Sequence, residues 1–242
     1  DANGKSTVIT GLSDYAIAKK LKVNAKSVYS YRKAHNITRE KDLRFNENIE
    51  PTNYQKQVLL GTLLGDSSLC KYKDTRNAWF SCAHGIKQKE YAFHLCALLE
   101  SLGAKCNYHK RNVIDKRNNK YYEDYTVTTP CNPALNSWYK YFYKNGKKCI
   151  PFELFEYFTE VSLAFMFMDD GSKIAQSYTI ATNCFDKEEI KKFQKFLLDT
   201  FNIVTSLHKQ NRLYINKKSR KHFEFLISPY IIDCMKYKLH VS

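Results

Sequence analysis

Two stretches of the chain are apolar at almost every position and end on an aspartate. The first, Leu59-Leu60-Gly61-Thr62-Leu63-Leu64-Gly65-Asp66-Ser67, returns later as Leu163-Ala164-Phe165-Met166-Phe167-Met168-Asp169-Asp170-Gly171. Each run reads as a buried helix with a carboxylate at its C-terminal tip. The helix dipole already places partial negative charge there, so the acid sits where a cation is preferred. Two such tips side by side form a strongly acidic point, which calls for cations and suggests a divalent metal.

The pattern around the two runs repeats as well. In the first copy the helix Tyr54–Gly65 ends at Asp66. A strand-like stretch from Leu69 to Ala83 follows, then an amphipathic helix Lys87–Leu102 stopped by Gly103. A strand pair from Lys105 to Thr129 and a helix over about 133–143 complete it. In the second copy the helix Glu160–Met168 leads to Asp170. A strand Ser177–Asn183, a helix Lys187–Phe201 capped by Asp186, a hairpin Val204–Asn216 turning near Gln210-Asn211 and a helix over about 219–227 follow. This order argues for pseudo-two-fold symmetry within one chain. Gly61 and Gly65 are four apart, on one helical face, and permit close approach of a partner helix. The second run offers Ser162 and Ala164 but no glycine pair, so a plain buried helix is the alternative.

Ahead of this body the spacing predicts two short helices within 12–36. Ser13 and Asp14 cap the first, Lys22-Val23-Asn24 makes a turn, and Ala25 to about Ala34 forms the second. Ile17, Ala18, Leu21, Val23, Val28 and Tyr31 fall at contact positions. The unit resembles the helix-turn-helix family of DNA-binding units, departing from it at Lys22, where that family usually has glycine. Its second helix offers Lys26, Ser27, Ser30, Arg32 and Lys33 to DNA. A helical hairpin that only packs on the body is the other reading. The expected organisation is a head over 1–37, a polar linker over 38–50, one repeat over 51–158 and a second over 159–242.

Composition narrows the function. With Lys and Arg at 39 against 24 Asp and Glu, the 242-residue chain carries a net charge of +15, which favours nucleic acid over an anionic membrane. No apolar run reaches the roughly 18 residues of a spanning helix, and no signal peptide is visible. The chain begins with Asp1, so the natural start is expected to be missing or processed. Eight cysteines without a Cys-x-x-Cys pair argue against zinc and for reduced thiols, hence an intracellular protein. Organelle, phage-infected cell and bacterial cytoplasm are not distinguished. Ala34-His35-Asn36-Ile37 is not a His-Asn-His nuclease signature, and no Gly-x-x-x-x-Gly-Lys loop is present.

Asp66 and Asp170 are therefore the leading metal ligands. Hard Mg²⁺ takes one or two carboxylates, several waters and phosphate oxygens. Such an ion neutralises phosphodiester charge and lowers the pKa of a bound water. Taken singly, Gly-Asp-Ser and Asp-Asp-Gly are ordinary helix-ending turns. Their recurrence in a doubled architecture turns the reading towards a site.

The two runs resemble the paired signature helices of the LAGLIDADG homing endonuclease family in its single-chain, two-motif form, over about residues 51–240. The resemblance implies an α+β fold: two pseudo-symmetric αββαββα repeats, signature helices at the pseudo-dyad, and two sheets forming a saddle over a long DNA site. The small head would be all-α. It also implies that Asp66 and Asp170 bind metal at the scissile phosphates, with Gly65 and Asp169 beside them in the metal set and Asp169 contributing its backbone carbonyl. One lysine per repeat assists, placed by position at Lys148 and Lys238, with Lys147 and Lys236 as alternatives. Ser67 departs from the family's usual glycine. Mg²⁺ is the expected cofactor, with Mn²⁺ or Ca²⁺ able to substitute in binding.

Alternating polar and apolar residues in the hairpins suit half-buried sheets. Lys71, Lys73, Arg76, Lys110, Arg111, Lys116 and Arg117 in the first repeat could face the major groove. So could Lys173, Gln176, Lys209, Gln210, Arg212 and Asn216 in the second. A solvated basic face is the bland alternative. The resemblance thus implies a site-specific, metal-dependent endodeoxyribonuclease, mainly monomeric and intron-encoded. It would act on double-stranded DNA and leave staggered ends with 5′-phosphate and 3′-hydroxyl. Membranes and an obligate protein partner are not expected. An intron RNA maturase, binding its own intron RNA, and a non-catalytic DNA-binding regulator remain open. An intein-embedded nuclease is disfavoured, because position 1 is not Cys, Ser or Thr and no His-Asn end is present.

Overall fold

The structure is a computed structural model that describes residues 7–9, 14–39, 48–72, 77–115 and 120–240. The chain divides into two compact units, 1–48 and 49–242.

In the first unit strand β1 (Thr7–Ile9) precedes helices α1 (Asp14–Leu21) and α2 (Ala25–Ala34), and strand β2 (Ile37–Arg39) follows them. The two strands pair in parallel, a feature absent from the expected all-helical head. The β-branched residues Thr7, Val8, Ile9, Ile37 and Thr38 favour that extended backbone. Asn24 caps α2 by accepting the Lys26 N–H at 2.8 Å. Lys22 adopts a φ of 53°, the left-handed conformation that glycine supplies most easily. Ala18 is buried, as the helix crossing requires, and Ile17 and Val28 are half-buried. Leu21, Val23 and Tyr31, expected at contacts, are exposed instead, and the Tyr31 ring stacks on His35.

Arg32 corrects a second expectation. It is not on the exposed face but 4% exposed. Its guanidinium pairs with Asp14 at 3.2 Å and donates to the Ile37 carbonyl at 2.8 Å. A charge so buried needs a hydrogen-bonded partner. Arg32 therefore ties α1, α2 and β2 together and leaves the group of DNA contacts. Lys26, Ser27, Ser30 and Lys33 are exposed. Ser13, the other expected cap, lies outside the described residues.

The second unit opens with α3 (Asn53–Leu64), β3 (Ser68–Cys70), β4 (Trp79–Gly85), α4 (Lys89–Leu98), β5 (Lys105–Asp115), β6 (Lys120–Thr128) and α5 (Leu135–Phe142). A small antiparallel ribbon, β7 (Tyr143–Lys144) with β8 (Lys147–Lys148), closes this half. The order then repeats as α6 (Glu160–Asp170), β9 (Gly171–Ile174), β10 (Ser177–Ala181), α7 (Lys187–Phe201), β11 (Thr205–His208), β12 (Arg212–Ile215) and α8 (Arg220–Ile227). Each half forms a four-stranded antiparallel sheet, in the orders β3-β4-β6-β5 and β9-β10-β12-β11. The two orders are the same, so one αββαββα unit is used twice.

The second acidic tip differs in detail from the sequence reading. Helix α6 continues through Asp169 and Asp170, and Gly171 begins β9 at once. A side chain at Gly171 would stand 2.1 Å from the Phe167 ring, so glycine is what lets the helix pass directly into a strand. In β11–β12 the turn residues Gln210 and Asn211 take φ of 60° and 56°, at the expected place. The long β5–β6 hairpin carries a register shift between Lys110 and Ile114.

The core forms around α3 and α6. Both start with a capping box, Thr52 with Gln55 and Thr159 with Ser162. Helix α3 is buried from Val58 to Leu64 and α6 from Val161 to Asp169, as expected of helices apolar on every face. A Cβ on Gly61 would lie 2.3 Å from the Ser162 carbonyl oxygen, and one on Gly65 would lie 2.5 Å from Asp169 Cβ. The glycine pair thus sets how closely the backbones meet. Across the seam the Ser162 hydroxyl donates to the Gln57 carbonyl at 2.9 Å and the Thr159 hydroxyl to Gln57 Oε1 at 2.8 Å.

Gly61→Val should destabilise the protein by about 3 kcal/mol in urea titrations, because the new side chain meets a main-chain carbonyl that cannot retreat. Gly85→Ala, where nothing lies within 4 Å of the added carbon, should stay within about 0.5 kcal/mol of wild type.

Candidate active site

The close helix approach delivers both acidic tips to one place. Asp66 follows Gly65, the C-cap of α3, and is exposed. Its main-chain N–H donates to Asp169 Oδ2 at 3.2 Å, and Tyr91 donates its hydroxyl to Asp169 Oδ1 at 2.7 Å. Burial, then the nearby Asp66 carboxylate, pushes the Asp169 carboxyl well above the usual carboxylate range. Asp170, the last residue of α6, is pushed up to about 6 by burial and then by Asp66, against Lys148, Lys238 and Arg212. Three carboxyl groups therefore face one another in a partly dry setting.

One lysine from each half reaches each helix end. Lys148, on β8, donates to the carbonyls of Gly65 at 3.0 Å and Ser67 at 2.9 Å. Lys238 donates to the Asp169 carbonyl at 2.8 Å and to that of Met168. Both satisfy carbonyls that a helix end leaves open, and both place positive charge at the negative end of the dipole. Burial pushes both ammonium groups down, while the three aspartates pull them back up. The alternatives point elsewhere: Lys147 pairs with Asp186 and Lys236 with Asp233. The carbonyls of Gly65 and Asp169, two residues of the expected metal set, each accept one of these lysines. Ser67 is buried, and its N–H bonds to the Thr62 carbonyl at 3.0 Å, so the departure from glycine leaves a well-held turn.

A cleft of about 480 Å³ opens beside the second tip, lined by Asp169, Asp170, Lys173, Arg212, Tyr237 and Lys238 among others. Lys173, Gln176, Lys209, Gln210 and Arg212 are exposed, and the Arg212 charge favours the ionised form of Asp170. Asn216 caps the turn at 217–219 by accepting the Lys218 N–H at 3.0 Å. In the first half, Lys71 Nζ sits 5.7 Å over the Tyr139 ring and exposed Lys110 pairs with Glu123 at 3.7 Å. Arg111 falls on β5; Lys73, Arg76, Lys116 and Arg117 lie outside the described residues.

Two residues of the site escape the sequence reading. Tyr91, fully buried on α4, holds the Asp169 carboxyl. His84, on β4, is 1% exposed, and burial holds its imidazole below its ordinary value. Its ligand nitrogen and the carboxylate oxygens of Asp66 and Asp169 lie within 4.8 Å of one another. The readable signal was alternation: Phe80, Cys82 and His84 share the buried face of one strand, and a titratable group there is out of place.

This is a pseudo-dimer folded into one chain, each half supplying one acidic helix tip and one lysine. The chain belongs to the LAGLIDADG DNA endonuclease family, whose model matches residues 56–223. It is similar to the cytochrome b mRNA maturase bI2 of Debaryomyces hansenii, with 29% identity over 209 residues, covering 84% of this chain and 79% of that protein. It is also similar to the probable intron-encoded endonuclease 1 of Wickerhamomyces canadensis, with 33% identity over 198 residues, covering 76% of this chain and 83% of that one. Among solved structures it is similar to the homing endonuclease I-WcaI bound to its DNA recognition sequence, with TM-score 0.71 and 28% identity, covering 80% of this chain and 89% of that one. Among the described residues no helix is long and apolar enough to cross a membrane.

The Asp170 value of about 6 stands above the 3.8 of an ordinary aspartate. Between the two, the folded protein holds a proton that the unfolded chain has released. Stability therefore falls as pH rises through this window, and the full cost is present above about pH 6. In chelator-containing buffer, Asp170→Asn should raise stability at pH 7.5 by about 2 kcal/mol. The gain should vanish below about pH 4, as urea titrations at several pH values would show.

Proposed function

We propose that this protein is a site-specific endonuclease that hydrolyses both strands of double-stranded DNA at a long target site, using divalent metal. The observation that carries the reading is the meeting of Asp66 and Asp170 at the seam of α3 and α6, with Lys148 and Lys238 on the same helix ends. A binding module has no use for clustered acids in a chain of net charge +15, since they repel the phosphates that the rest of the surface attracts.

The residues present fit a hard divalent ion. Asp66 and Asp170 offer oxygen donors, and the burial and then the Asp66 charge that raise the Asp170 value are opposed by a cation. When bound, such an ion supplies charge neutralisation at the phosphodiester and a more acidic water. The protein's own groups do the rest. Lys148 and Lys238 fix the two tips and offset their charge. Tyr91 and Asp169 hold the Asp66 main chain. Arg212 and Lys173 line the cleft beside Asp170 and suit a phosphate backbone. The two four-stranded sheets supply the long surface that reads sequence, with Lys110, Lys209 and Gln210 among the exposed side chains. The head extends the footprint through Lys26, Ser27, Ser30 and Lys33. One chain supplies both acidic tips, so the monomer suffices. Mg²⁺ is the expected ion. Mn²⁺ and Ca²⁺ share its oxygen-ligand chemistry.

A second reading, intron RNA maturase, is favoured by the similarity to the maturase bI2 over 84% of this chain. Both acidic tips are retained, which RNA binding alone does not require.

Incubation with a randomised duplex library and Mg²⁺, followed by sequencing of cut ends, tests the proposal. Wild type should cut one family of sites on both strands. Asp66→Asn and Asp170→Asn should each lose about 100-fold or more in rate, as expected when several kcal/mol of charge stabilisation are removed. Binding should weaken steeply with salt. Tight binding of one duplex without any cutting by wild type would overturn the nuclease reading. Acceleration of splicing of one intron RNA would support the second.

A further inference from the structure

Two of the positions at which the halves differ fall in the same spot. The residue before each terminal aspartate is Gly65 in one half and Asp169 in the other. The second difference follows from strand register. Two residues past each aspartate, Ser68 pairs with Ser81 and Ser172 pairs with Thr179. Three residues further along stand His84 in the first half and Thr182 in the second. Both are buried, yet they differ in their bonding. The Thr182 hydroxyl donates to the Asn211 carbonyl. His84 Nε2 is shut off from solvent and has no hydrogen-bond partner within bonding geometry among the described residues, with Gln88 a polar neighbour of the imidazole.

An unsatisfied buried imidazole nitrogen carries an energetic cost, and this one is surrounded by carboxyl groups. A ring nitrogen of His84 and carboxylate oxygens of Asp66 and Asp169 all lie within 4.8 Å of one another. Tyr91 ties the donors together. Its ring packs against the His84 ring at 4.7 Å between centroids, and its hydroxyl fixes Asp169 Oδ1. Neighbouring lysines do not occupy the spot, because Lys148 and Lys238 are bonded to main-chain carbonyls. A symmetric pair of ions at Asp66 and Asp170 would use neither His84 nor the Asp169 side chain.

We propose that His84, Asp66 and Asp169 form a third, asymmetric metal site with one nitrogen and two oxygen donors. It rests on the reading of the two helix tips as a metal centre, and adds to it a site in one half only. The mixed donor set selects Mn²⁺, Co²⁺ or Zn²⁺ over Mg²⁺ and Ca²⁺, since imidazole suits the transition ions and all-oxygen sites the hard ones. Bonds of about 2.1 Å require the donors to close up. Asp66, the exposed member of the three, has room to move, whereas His84 and Asp169 are held in place by Tyr91. The arrangement matches the common pattern in which a hydrogen-bonded neighbour orients a metal-binding carboxylate. The two halves of the site are therefore chemically unequal.

Pulsed electron paramagnetic resonance of Mn²⁺ bound to this protein tests this directly, without DNA and without turnover. Wild type should show modulation from a directly bound imidazole nitrogen. His84→Gln should abolish it and weaken Mn²⁺ binding about 10-fold or more, with Ca²⁺ binding changed less. Growth with histidine carrying the heavy nitrogen isotope should shift the wild-type modulation, which keeps the test decisive if His84→Gln fails to fold. Bound Mn²⁺ without nitrogen modulation, or modulation unchanged in folded His84→Gln, would overturn the proposal while leaving the nuclease reading intact. Nitrogen modulation in a protein that cuts no duplex would do the reverse.

Discussion

Two carboxylate-bearing helix ends can be held side by side only if nothing stands between the helices that carry them. Gly61 and Gly65 provide that condition. A single added carbon at either would collide with Ser162 or Asp169 at 2.3–2.5 Å. The rest of the body follows from this contact. Because α3 and α6 are buried on every side, each must be covered by its own sheet and flanking helices, and two copies of one αββαββα unit do this. The acids arrive at the seam as a consequence of helix packing, Asp169 and Asp170 within α6 and Asp66 directly after the C-cap of α3.

That position is electrostatically costly, and the structure shows how the cost is carried. Helix C-termini already present negative potential, and Asp66, Asp169 and Asp170 add to it. Lys148 and Lys238 answer at the main-chain carbonyls rather than at the carboxylates. Asp170 is thereby left at the cleft, raised to about 6 by burial and then by Asp66. A protein optimised for stability alone would have amides there. Sites that hold substrates and cations commonly carry such strain.

Much of this is written in the chain. The doubled apolar runs, the capping residue Asp186, the hairpin at Gln210-Asn211 and the helix over 187–201 all depend on local pattern, and the structure has them where the pattern puts them. What was not legible depends on tertiary context. Arg32 looks like a surface cation until Asp14, 18 residues away, is seen to bury it. Leu21, Val23 and Tyr31 have the spacing of contacts but are exposed. The short parallel pair β1–β2 joins segments too far apart and too brief to show a period. At the site, Asp170 was readable by alignment with Asp66. The interior roles of Asp169, Tyr91 and His84 were not, because each needs a partner from another element to be recognised.

The central claim is that α3 and α6 bring Asp66 and Asp170 together as one metal centre at the scissile phosphates. The most direct test is anomalous scattering from Mn²⁺ in crystals of this protein with its cleaved target duplex. The account predicts peaks within about 2.5 Å of carboxylate oxygens of both Asp66 and Asp170, each next to a phosphate of a different strand. Peaks confined to other residues, or strand breaks distant from the α3–α6 seam, would contradict it.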